Sequence, residues 1–209
     1  MEQSVEERVA EWDRRFGSED YLFGTEPNAF LVRQADRLRP GMKVLAVADG
    51  EGRNGVWLAG RGLDVLSVEA SSVALEKAQR LAHDRGVNLA TEQADILSWD
   101  WGRERFDAIA AIFIQFARPR ERARLFGLMQ DALRPGGLLL LQGYRPEQVG
   151  RGTGGPPFAE NMYTEPMLRE AFAALEILEL QSCEADIREG TGHAGMSALI
   201  DLVARKPAS

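Results

Sequence analysis

Between Val44 and Gly55 the chain reads Val-Leu-Ala-Val-Ala-Asp-Gly-Glu-Gly-Arg-Asn-Gly, an apolar run that breaks into closely spaced glycines. This pattern predicts a strand that turns sharply and feeds directly into a helix. Glycines let a ligand approach the backbone there, and the first N–H groups of the helix have no partners of their own. Gly50, Gly52 and Gly55 match the G-x-G-x-x-G spacing of dinucleotide-binding turns, although that match alone carries little weight. Glu69 closes a second apolar run, and a carboxylate there can accept hydrogen bonds from both hydroxyls of a ribose. Asp95-Ile96 closes a third, pairing an acceptor for an adenine amino group with an aliphatic cover for the ring face. The expected nucleotide-side residues are Asp49, Gly50, Glu51, Gly52, Asn54, Glu69, Ala70, Asp95 and Ile96, with Tyr21 contributed by an N-terminal aromatic segment.

The sign of charge at the glycine turn discriminates between nucleotides. Asp49 and Glu51, offset by Arg53 alone, would repel a pyrophosphate at about 4–6 Å. A nucleoside bearing an ammonium and a sulfonium, as S-adenosylmethionine does, would instead be attracted, and it is the expected cofactor.

These residues need a scaffold that brings successive strand ends together. Apolar runs at Lys43–Ala48, Leu63–Val68, Asn88–Ala94, Phe106–Ile114 and Leu138–Gln142 alternate with amphipathic segments at Asn54–Arg61, Ser72–Arg85 and Pro119–Leu133. That alternation predicts a parallel sheet covered by helices on both faces. Thr164 is placed to cap a further helix ending near Ala174. Two last strands, Leu175–Ile187 and Ser197–Arg205, are joined by the glycine-rich stretch Gly190–Gly195, which predicts an antiparallel hairpin at the sheet edge. Upstream, Val5, Val9, Trp12 and Phe16 fall on one helical face, with Ser4 and Glu7 spaced as a capping box. Gly24–Asn28 opens a second short helix ending near Leu38. The expected division is an N-terminal helical lid segment, residues 1–40, on one nucleotide-binding unit, residues 41–209.

From about Tyr21 to Lys206 the chain resembles the class I S-adenosylmethionine-dependent methyltransferases. Within them it is similar to the small bacterial tellurite-resistance and thiopurine methyltransferases. The resemblance is carried by Gly24-Thr25-Glu26-Pro27-Asn28, Gly50-Glu51-Gly52-Arg53-Asn54, Glu69, Asp95, Leu133-Arg134-Pro135-Gly136-Gly137 and the closing strand pair. It implies a Rossmann-like α/β fold with a seven-stranded sheet, mostly parallel with an antiparallel last strand. It also implies in-line methyl transfer to a small molecule such as a thiol or metalloid oxyanion. Two positions depart from the family pattern: Ala46 stands where an acid is usual and Ala48 where a glycine is usual, and Asp49 is expected to contact the donor's ammonium instead.

Acceptor-side residues are expected at the carboxyl ends of later strands. They are Gln115 and Phe116, then Tyr144 and Arg145, then Phe158 and Tyr163 from the loop Gly150–Tyr163, and His193. His193 reads as an exposed turn residue in preference to a proton acceptor, and Trp12 as helix packing in preference to an aromatic lid. Amino-methylating DNA enzymes carry an Asp/Asn-Pro-Pro-aromatic motif where this chain has Ile114-Gln115-Phe116-Ala117. With a formal net charge of -7, this argues against a nucleic-acid partner. Cys183, His83 and His193 make a poor zinc set, so no metal is expected. The start of the chain lacks a hydrophobic signal core and no later stretch is long enough to span a bilayer, so neither membrane association nor export is expected and the chain reads as cytoplasmic. Two alternatives stay open: an NAD(P)-dependent reductase, from the glycine spacing, and a non-catalytic S-adenosylmethionine-binding module, from Ala46 and Ala48.

Overall fold

A computed structural model describes residues 5–208; Ser4, and with it the expected capping box, lies outside them. The chain forms α1 (Val5–Phe16), α2 (Ala29–Arg33), β1 (Lys43–Val47), α3 (Arg53–Gly60), β2 (Asp64–Glu69), α4 (Ser72–Asp84) and β3 (Ala90–Gln93). It continues through β4 (Phe106–Ile112), α5 (Pro119–Ala132), β5 (Leu133–Tyr144), α6 (Glu165–Ala171), β6 (Glu176–Glu189) and β7 (His193–Arg205).

The strands make one seven-stranded sheet in the order β3-β2-β1-β4-β5-β7-β6. The first five are mutually parallel, and β7 inserts antiparallel between β5 and β6. The order reverses at β1, where β2 lies on one side and β4 on the other, which opens a crevice above their carboxyl ends. Alternate residues of β1 feed the two cores: Leu45 and Val47 join the cluster beneath α5 and α6, while Val44 and Ala46 join the one beneath α2, α3 and α4.

Local chemistry accounts for most boundaries. Ser71 caps α4 by accepting from Ala74 N, and Thr164 caps α6 by accepting from Met167 N. Pro119 occupies the first turn of α5, where its missing N–H costs nothing. Several boundaries differ from expectation: α2 stops at Arg33, short of Leu38, β4 at Ile112, short of Ile114, and α6 at Ala171, short of Ala174. Strand β5 already begins at Leu133: Arg134–Gly137 is taken up in a register shift, since Phe106 pairs with Leu133 but Ala108 with Leu138. The last hairpin is also tighter than expected, because β7 starts at His193 and only Gly190, Thr191 and Gly192 lie between the two strands.

Candidate functional site

A cavity opens over the carboxyl ends of β1, β2 and β4 and is roofed by α1 through Val5, Arg8, Val9, Trp12 and Phe16. Trp12 therefore does more than pack a helix. It lines the cavity and stacks on Phe16 with ring centroids 5.3 Å apart, correcting the packing-only reading. Arg8 fastens this roof to the cavity wall through Asp95 at 3.4 Å and also reaches Glu121 at 3.8 Å.

The turn after β1 is built from left-handed residues. Ala48 has φ 45°, Gly50 φ 58° and Gly52 φ 84°. Alanine in this region is strained by about 1–2 kcal/mol, which explains why a glycine suits position 48. Gly52 is required for a second reason, since a Cβ there would lie 2.6 Å from Ala78 Cβ on α4. Gly55, the third glycine of the dinucleotide-like spacing, instead makes room for Asp49: a Cβ on it would collide with Asp49 Oδ2. The Asp49 carboxylate accepts from Gly55 N at 3.1 Å and from Ser67 Oγ at 3.1 Å. Burial pushes its pKa up to about 7 against those hydrogen bonds and the charge of Arg53.

Glu69 is aimed by the backbone. Its Oε2 accepts from Gly50 N at 2.9 Å, and its Oε1 from Ala70 N at 2.8 Å and Ser71 N at 3.0 Å. These bonds fix a carboxylate on the cavity wall with one lone pair of Oε2 unused. Burial raises its pKa, opposed by the three N–H groups. At the next strand end Asp95 Oδ1 accepts from Leu97 N at 2.9 Å, with Ile96 and Ala70 beside it on the wall.

The cavity is also lined by Arg53, Phe23, Phe113 and His193. Arg53, at the first position of α3, donates from Nη2 to Glu189 Oε2 at 2.7 Å, and its Nη1 is buried with no partner among the described residues. Glu189 Oε1 accepts from Asn28 Nδ2 at 2.8 Å, and Asn28 N in turn donates to Asn54 Oδ1 at 2.9 Å. Burial would raise the Glu189 pKa, but His193 and Arg53 outweigh it and hold the group at about 2. His193 Nδ1 lies 3.3 Å from Glu189 Oε2, and its ring sits 4.4 Å from Phe23 and 4.5 Å from Phe113. Phe113 has φ 56°, a strained conformation that turns the ring off the end of β4.

Residues 44–137 match the model of a family described as a methyltransferase domain. The glycine/sarcosine N-methyltransferase of Halorhodospira halochloris is 30% identical over 140 residues, covering 64% of this chain and 48% of that protein. The thiopurine S-methyltransferase of Bordetella petrii is 31% identical over 142 residues, covering 59% of this chain and 62% of that protein. The chain thus spans about half the length of the first relative. The N-methyltransferase NodS of Bradyrhizobium japonicum, solved with S-adenosyl-L-homocysteine, superposes with a TM-score of 0.72 at 16% identity over 95% of this chain and 98% of that one. Over residues 44–137 the chain is similar to a methyltransferase domain, and its fold is that of the solved N-methyltransferase.

Asp49, Gly50, Asn54, Glu69, Ala70, Asp95, Ile96 and His193 meet at a single cavity. Other expected site residues do not line it. Glu51 turns toward α4, where its Oε1 takes Lys77 Nζ at 2.6 Å and its Oε2 accepts from Phe23 N. Gly52 touches α4 and leaves the wall to its neighbours. Tyr21 donates to the Lys77 carbonyl, with the Lys77 ammonium 5.1 Å from its ring. Gln115 is a clamp: its Nε2 donates to Tyr144 O at 2.8 Å and its Oε1 accepts from Tyr144 N at 2.6 Å, which extends the β4–β5 pairing by one step.

Tyr144 is buried behind Phe113, with its ring 4.6 Å away, while Arg145 pairs with Glu147 at 3.6 Å. Tyr163 belongs to the core against Phe126, and Phe158 is 62% exposed. His193, read as an exposed turn residue, is 8% exposed and faces the cavity. The local charge argument changes too. Glu51 is neutralised by Lys77 and Arg53 by Glu189, leaving Asp49, Glu69 and Asp95 as the acids on the wall.

Sequence reasoning weighed Arg53 only as an offsetting charge and did not single out Glu189 or Phe113. The signal for Arg53 was its place directly behind a glycine turn, and the signal for Glu189 was an acid four residues before a histidine across a glycine tip.

Among the described residues, no helix is long and apolar enough to cross a membrane.

Proposed function

We propose that the chain binds S-adenosylmethionine in this cavity and transfers its methyl group to a small-molecule acceptor, with a thiol as the favoured class. The observation that carries the reading is Glu69, oriented by three backbone N–H groups on the cavity wall and followed at the next strand end by Asp95. Glu69 would take the ribose hydroxyls, Asp95 the adenine amino group, and Ile96 the ring face. The unpartnered Arg53 Nη1 fits the carboxylate of the donor's amino-acid end, because a buried guanidinium N–H is costly until an anion meets it. Asp49 is the carboxylate available to the ammonium, in place of the acid that Ala46 lacks.

When bound, the donor supplies an electrophilic methyl on a sulfonium. The chain's own part is to align an acceptor behind that methyl and exclude water, which can be worth roughly 7–11 kcal/mol. The roof of α1, with Trp12 and Phe16 facing the cavity, suits both tasks. A sulfur acceptor is supported by the relative named as a thiopurine S-methyltransferase, and the apolar, aromatic wall suits such a substrate.

A reductase reading draws support from one observation: Lys77 removes the charge of Glu51 from the turn, which weakens the case against a pyrophosphate. Calorimetric titration separates the two. S-adenosylhomocysteine should bind the full chain at one site, and Glu69→Ala should weaken it by about 10–10²-fold through loss of charge-assisted hydrogen bonds. Binding of NADH alone overturns the proposal. Binding of S-adenosylmethionine with no turnover of any thiol tried points instead to a cofactor-binding module.

A further inference from the structure

The cavity wall at His193 carries a carboxylate–imidazole pair. Glu189 ends β6 and His193 begins β7, so the three-residue tip of the hairpin sets them face to face. The carboxylate is fixed from three sides, by Asn28 Nδ2 on Oε1 and by Arg53 Nη2 and His193 Nδ1 on Oε2. An ionised carboxylate offers only lone pairs, so the hydrogen between the two groups sits on Nδ1. In the neutral ring Nε2 then keeps its lone pair, and it has no protein partner among the described residues.

The ring itself is held between Phe23 and Phe113. Burial lowers the His193 pKa, opposed by Glu189 and helped by the charges of Arg53 and Arg15, so the resting imidazole is neutral. The tip that carries the pair is anchored as well: Thr191 N and Gly192 N both donate to Leu22 O, at 3.0 and 2.9 Å. Tyr144 Oη, buried without a partner, lies behind the pair. A purely structural link between β6 and β7 would not need the ring on a cavity wall, nor a cation and an amide to hold the carboxylate.

Building on the methyl-transfer reading above, we propose that Glu189 and His193 form a proton-accepting dyad, and that the acceptor is therefore one whose attacking atom bears a hydrogen, a protonated thiol, in preference to a metalloid oxyanion or a thioether. As the acceptor sulfur attacks, its lone pair forms the new S–CH3 bond. The donor's sulfonium–methyl bond breaks with its electron pair going to the departing sulfur. The proton of the thiol passes to His193 Nε2, giving an imidazolium that Glu189 stabilises and that later releases the proton to water.

Two thiols of different acidity test this with S-adenosylmethionine and the full chain: phenylmethanethiol, protonated near pH 7, and 4-nitrothiophenol, already a thiolate there. His193→Asn should slow kcat for phenylmethanethiol by about 10²-fold and for 4-nitrothiophenol by less than about threefold. Binding of S-adenosylhomocysteine should hold within about threefold, which separates failure of the dyad from failure of the donor site. Equal losses for the two thiols, or no loss for either, overturn the proposal. A measurement independent of turnover uses nitrogen NMR of the histidine rings in the S-adenosylhomocysteine complex at pH 7.5. A proton on Nδ1 and none on Nε2 supports the dyad; a proton on Nε2 overturns it whether or not either thiol is methylated.

Discussion

Two buried glutamates flank the cavity, and each faces a buried cation. Glu51 meets Lys77 at 2.6 Å, and Glu189 meets Arg53 at 2.7 Å. The chemistry is alike but the degree of closure differs. Lys77 Nζ spends its remaining hydrogens on Phe16 O and Asp20 O, so every donor of the ammonium has a home. Among the described residues Arg53 keeps Nη1 unpartnered, and His193, the further partner of Glu189, keeps Nε2 free. A saturated ion pair ties the N-terminal segment to α4, whereas an unsaturated one is built for something that arrives later. Between these two pairs, satisfaction of the cation, more than burial or charge, makes the difference.

That contrast can be broken by substitution. Lys77→Met should have the largest effect, lowering stability by about 3–5 kcal/mol in urea unfolding, because Glu51 is left buried and uncompensated. Pairing it with Glu51→Gln should recover much of the loss. Arg53→Met should cost less stability, about 1–3 kcal/mol, since Glu189 retains Asn28 and His193. It should nevertheless weaken S-adenosylhomocysteine by about 10-fold or more in calorimetry, an effect on the ligand that outruns the effect on the fold. If Lys77→Met hit donor affinity harder than Arg53→Met at equal folded fraction, the division between the pairs would be wrong.

The smallest effect concerns acid. The folded state holds Glu189 at about 2, below its ordinary value of 4.5, so its ionised form contributes stability above the unfolded value. That contribution should fade as pH falls from about 5 toward 2. Glu189→Gln should flatten the stability–pH curve in this window relative to the parent chain.

The part of the cavity wall proposed to take the donor was legible in the sequence because its parts are local. A strand end, a glycine turn and a carboxylate within a few residues of each next strand end place Asp49, Glu69 and Asp95 without long-range information. The closing hairpin was legible for the same reason, since a short glycine-rich link leaves few topologies. The cluster of Asn28, Arg53, Glu189 and His193 was not. Arg53 and Glu189 are 136 positions apart, and Asn28 and Glu189 are 161 apart. Which of several polar residues at the ends of β4 and β5 turn inward depended on packing that no spacing encodes. Gln115 was consumed by the Tyr144 backbone, and Tyr163 by the core around Phe126. Glu51 was misread because its partner lies on another helix: charge counted along the chain differs from charge facing a cavity.

Ala48 holds its left-handed bend, φ 45°, at the cavity mouth. In any codon for alanine, changing the middle base from C to G yields glycine, so the relaxed form lies a single mutational step away. The chain thus keeps roughly 1–2 kcal/mol of readily removable backbone tension beside the cavity. An investigator seeking a sturdier specimen for ligand soaking has that one-letter edit ready to hand.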